Sequence, residues 1–147
     1  MFGFNWEPLN AHDEKRVLEA IAVAEKATSG EIRVHLDKWC KTDPVFKAKN
    51  LFTHLKMEQT EARNGVLIYV AVNEHKFAIV GDEGIDKKVG IHFWESTKDI
   101  MKAHFSKKEL AKGLIYGIAE VGEQLKEYFP YQRGEDKNEL PDEISYG

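Results

Sequence analysis

Residues 66–72, VLIYVAV, form an unbroken apolar run opened by Gly65. A run this short suits a strand, and its lack of polar alternation requires burial on both faces. Such a strand demands a layer above it and another below, so the rest of the chain has to supply helices on two sides. KFAIVG (76–81), across the turn Asn73-Glu74-His75-Lys76, reads as its hairpin partner.

The remaining segments fit that demand. Val17, Leu18, Ile21 and Ala24 recur at helical spacing over 11–28, with Gly30 as a stop. EIRVHLD (31–37) alternates, placing Ile32, Val34 and Leu36 on one face and Glu31, Arg33 and His35 on the other, as in a half-buried strand. Asp43-Pro44 has the chemistry of a helix start, an N-cap followed by a first-turn proline, and the helix continues to about 57. Further helices are predicted over 91–105 and, from a Ser106/Glu109 capping box, up to Pro130. Gly113, Gly117 and Gly122 weaken the last helix, a cost that close packing against the sheet would offset. The expected architecture is a three-layer α/β/α sandwich around a small mixed sheet, in the order α-β-α-β-β-α-α.

A chain of 147 residues is long enough for one sizeable core, placed here over residues 1–130. Segment 131–147 is set apart as an acidic tail. It holds Glu135, Asp136, Glu139, Asp142 and Glu143 against Arg133 and Lys137, a net −3 of the chain's −4, which leaves −1 on the body. Leu140, Ile144 and Tyr146 offer it apolar docking points. No basic stripe marks a nucleic-acid surface, and no run approaches the ~20 apolar residues of a membrane span. The N-terminus lacks the pattern of a signal peptide, and the lone Cys40 allows no internal disulfide. The expectation is a cytoplasmic protein, monomeric, without membrane insertion or nucleic-acid partner.

Three loops carry candidate chemistry. GDEGIDKK (81–88) crowds Asp82, Glu83 and Asp86 into one turn between and after two glycines. Either these acids complement the N-terminus of a coming helix, or they are oxygen ligands for a hard cation such as calcium or magnesium. The spacing is not that of an EF-hand. Thr28-Ser29-Gly30-Glu31 offers hydroxyls beside a carboxylate but is also ordinary helix-stop chemistry. Arg63-Asn64 precedes the central strand, where a guanidinium can fork onto phosphate or carboxylate and Asn-Gly makes a plain turn. The six histidines show no HExxH spacing, and neither a GxSxG elbow nor a P-loop is present.

Together SGEIRVHL (29–36), RNGVLIYVAVNEHKFAIVGDEGID (63–86) and GLIYGIAEVGEQL (113–125) resemble, in order, the TPM domain family. That group includes thylakoid-lumen phosphatase-like proteins. The resemblance spans about residues 13–129. It implies an α/β/α sandwich with an edge site where acidic side chains hold calcium or a similar ion. Carried over, Asp82, Glu83, Asp86 and Glu31 become metal ligands. Arg63, Asn64 and Ser29 become substrate or phosphate contacts. Some plant members are credited with acid phosphatase activity, but no phosphoryl-accepting nucleophile is recognisable here and no catalytic residue is assigned. The expected function is therefore a cation-binding interaction or regulatory module that meets a protein partner, with weak metal-assisted phosphomonoester hydrolysis as the alternative.

Overall fold

A computed structural model describes residues 6–131, 140 and 142–147. Of the tail residues named above, Arg133, Glu135, Asp136, Lys137 and Glu139 lie outside the described residues. The apolar run is strand β2 (Gly65–Ala71), buried along its whole length. It pairs in parallel with β1 (Glu31–Asp37) and antiparallel with β3 (Lys76–Gly81). Beyond β1 lies a fourth strand, β4 (Ile144–Tyr146), also parallel, so the sheet order is β3-β2-β1-β4. The expected element order holds, and the docking points at the end of the tail add the extra strand.

One face of the sheet presents Ile32, Val34, Val66, Ile68, Val70 and Ile79 to α1 (Ala11–Glu25), α4 (Glu95–Phe105) and α5 (Leu110–Lys126). The other presents Leu67, Tyr69 and Ala78 to the crossover helix α2 (Pro44–His54), capped by Asp43 accepting from the Phe46 N–H at 3.2 Å. The short helix α3 (Glu83–Asp86) occupies the acidic turn and buries Ile85.

Three expectations are corrected. Strand β1 is buried along its whole length rather than on one face, and its polar side chains meet partners near the chain's end: Glu31 the Leu140 N–H, Arg33 Glu143 and His35 Ser145. No capping box forms at α5: the Ser106 hydroxyl donates to the Ala103 carbonyl, while the Glu109 carboxylate meets His104 and Lys112. The glycines of α5 admit neighbouring helices rather than the sheet. A Cβ at Gly113 would lie 2.3 Å from the Phe105 ring, and at Gly117 2.6 Å from the Met101 side chain, both on α4. At Gly122 it would lie 2.9 Å from Ala24 on α1.

Candidate functional site

The three candidate loops meet at one edge of the sheet, where β1 and β2 begin and β3 ends. Backbone bonds tie them together. The Glu31 N–H donates to the Asn64 carbonyl at 3.2 Å, the Asp82 N–H to Gly65 at 3.0 Å, and the Gly84 N–H to Arg63 at 3.0 Å. Gly84 is required by this seam, since a Cβ there would sit 2.3 Å from the Ala62 carbonyl oxygen. The Asn64 side chain closes the gap to the first junction by donating to the Ser29 carbonyl at 3.1 Å. Ser29 thus contributes its backbone to the cluster.

Arg63 organises the acidic turn. Its Nε and Nη2 donate to the two oxygens of Asp82, both at 2.8 Å, and its Nη1 reaches Glu83 Oε1 at 3.1 Å. Asp82 is 6% exposed, so this fork compensates a carboxylate withdrawn from water. Its Oδ1 also accepts from the Glu83 N–H at 2.7 Å, capping α3. Asp86 stands apart from the fork. Desolvation holds its carboxyl above the usual range, opposed by Lys49 and reinforced by the nearby Asp82 charge. Among the described residues two buried acceptors here have no hydrogen-bond donor, Asn64 Oδ1 and Glu58 Oε2. Orphaned buried acceptors are uncommon and costly. Glu58 also acts on Arg63 through its charge, a placement that sequence reasoning missed because Glu58 lies at an ordinary helix exit.

Glu31 lies in the same cross-strand row as Asp82, with Gly65 between them. Its Oε1 accepts from the Leu140 N–H at 2.6 Å, and the Leu140 side chain overhangs Gly65. Leu140 is therefore seated on this row, bonded to Glu31 and over Gly65. Beside Glu31, burial and a hydrogen bond to Asp142 push the Glu25 carboxyl up to about 9.

A second polar group on β1 was also missed. His35 Nε2 lies 2.8 Å from Asp37 Oδ1, Tyr69 donates to Asp37 Oδ2 at 2.7 Å, and His35 Nδ1 lies 2.7 Å from Ser145 Oγ. A carboxylate only accepts, so the proton sits on Nε2 and Ser145 donates to Nδ1. Burial holds the imidazole below its usual 6.5, although Asp37 pulls the other way. Arg33 similarly pairs with Glu143. The alternation of β1 hinted at these polar side chains, but Glu143 and Ser145, which meet Arg33 and His35, lie 110 residues away.

The geometry defines a class: a three-layer α/β domain with an arginine-bridged acidic loop cluster at the amino edge of its parallel strands. Residues 7–124 match the TPM domain family, and the chain belongs to it. The chain is similar to the BA42 protein of the psychrophilic bacterium Bizionia argentinensis, known from an NMR structure. Identity is 44%, both chains are covered completely, and the TM-score is 0.91. The N-terminal domain of cg2496 from Corynebacterium glutamicum shares the fold at 12% identity and TM-score 0.64, with 92% of this chain and 79% of that one covered. An N-terminal domain from P. gingivalis shares it at 17% identity and 0.65, covering 85% and 82%. A comparison with curated proteins finds no match. Among the described residues no helix is long and apolar enough to cross a membrane.

Proposed function

We propose that the amino-edge loop cluster binds a divalent cation, calcium or magnesium, and that this domain is an ion-responsive interaction module rather than a strong catalyst. The donors fit in kind: Asp82, Glu83 and Asp86 carboxylates and the Asn64 amide are all hard oxygen ligands. The observation that carries the reading is the buried Asn64 Oδ1, which among the described residues lacks a hydrogen-bond donor and lies next to the Arg63 carbonyl that holds the acidic turn. Among the described residues no three acidic, histidine or cysteine side chains already converge as a metal site, and Arg63 holds the oxygens of Asp82. An ion therefore competes with the guanidinium, and its binding moves Arg63 outward. Glu31 joins the set when Leu140 lifts from the row it shares with Asp82, which couples the ion to the tail and to a protein partner that the tail could meet. Arg63, with its fork filled by carboxylates, is poorly placed for a phosphate, which favours ion binding without turnover.

Backbone amide shifts during calcium and magnesium titration test this. Residues 58–65 and 82–88 move at about millimolar ion, Asp82→Asn with Asp86→Asn abolishes the response, and Arg63→Gln tightens binding by removing the competitor. Silence at those amides, or unchanged binding by the double variant, overturns the reading. Turnover of a phosphomonoester that the double variant abolishes would restore the hydrolytic alternative.

A further inference from the structure

The opposite edge of the sheet, where β1 and β2 end, carries a separate cleft of about 220 Å³. In α/β sheets ligands characteristically enter at the carboxyl ends of the strands. Its walls are apolar, formed by Val70 and Val72 at the end of β2, Phe105 at the end of α4 and Leu110 at the start of α5. Phe105 is held in place by an edge contact with Phe77, their centroids 5.3 Å apart, and by the absence of a side chain at Gly113.

Its rim carries two basic side chains. His75 and Lys108 line the cleft, and both have positive φ, 56° and 61°. Such a backbone costs a non-glycine residue about 1–2 kcal/mol, and glycine is the usual solution at helix ends. Here a histidine and a lysine occupy those positions, both exposed, and among the described residues neither side chain has a hydrogen bond or ion pair. Their acidic neighbours face elsewhere: Glu74 bonds the Cys40 N–H and lies near Lys76, and Glu109 bonds His104 and Lys112. The first turn of α5 adds N–H groups at Leu110 with no side-chain cap, whose dipole favours an anion at the same mouth.

We propose that this cleft binds a small amphiphilic carboxylate, with a medium-length acyl chain or single aromatic ring against Val70, Val72, Phe105 and Leu110 and the carboxylate between Lys108 and His75. Ligand pockets commonly combine an apolar body with a few convergent polar groups in this way. The volume suits such a molecule.

Octanoate, kept below its micelle concentration, is the probe, with octanol as the uncharged control of the same length. Amides of residues 70–76 and 105–112 shift with octanoate, while those of 82–86 stay still. Octanol binds at least tenfold more weakly. Lys108→Gly combined with His75→Gly, which suits the backbone at both positions, weakens octanoate at least tenfold while leaving the remaining amide spectrum intact. Equal affinity for octanol, undiminished binding by the double variant, or shifts confined to another surface overturns the proposal.

Discussion

Single residues carry different burdens at the two edges of the sheet. At Gly84 the constraint is space, because the Ala62 and Arg63 carbonyls belong to a backbone seam and have no rotamer to escape into. Gly84→Ala is expected to cost about 2–3 kcal/mol, read as a lower urea midpoint. At His75 and Lys108 the burden is conformational. Replacing either with glycine should raise stability by about 1 kcal/mol, even as the cleft loses its basic side chains. A fall in the urea midpoint would mean that those side chains make stabilising contacts. Arg63 shows where reading residues alone stops. The arginine and the acids were each visible as candidates, but their mutual pairing was not, because it joins positions 19 apart through a hairpin whose register had to be known first.

Among the elements, β4 is held to the body by buried titratable groups. His35 binds its Ser145, and Glu25 binds Asp142 just before it. The two act in opposite senses. His35 has a depressed pKa, so its contribution is complete above its unfolded value of 6.5 and is lost as pH falls through the folded one. Glu25 has a raised pKa, so its contribution is complete below its unfolded value of 4.5 and is lost as pH rises toward 9. Amide protection of residues 144–146 should therefore peak between pH 4.5 and 6.5. Glu25→Gln should flatten the decline on the alkaline side, and an unchanged profile in that variant would exclude the carboxyl pair as its cause. The longer elements were legible from periodicity because each buries a regular stripe. β4 was visible only as scattered docking points, since three residues carry too little alternation to declare a strand.

For the whole molecule, the sheet separates two candidate sites by the length of its central strands, roughly 20 Å. Sites that far apart without shared partners usually act independently. Calcium and octanoate should thus raise the unfolding free energy additively, each by about 2.7 kcal/mol at a hundredfold excess over its Kd. A combined effect well away from the sum, in chemical denaturation with both present, would reveal coupling through the β-sheet. The layered fold was legible because one apolar strand compelled it. The carboxyl-edge cleft was not, because its lining comes from three separate stretches of sequence and its signal is a backbone angle that composition does not encode.

The pairing of β1 with β4 has a consequence for the chain during synthesis. β1 is an inner strand, yet the residues that complete its outer side are translated about 110 positions later, as the His35–Ser145 separation shows. Until they leave the ribosome, β1 presents an unsatisfied strand edge, the kind of surface on which nascent chains pair wrongly. Its alternating Glu31, Arg33, His35 and Asp37 then serve as protection, keeping one side polar until the matching strand arrives.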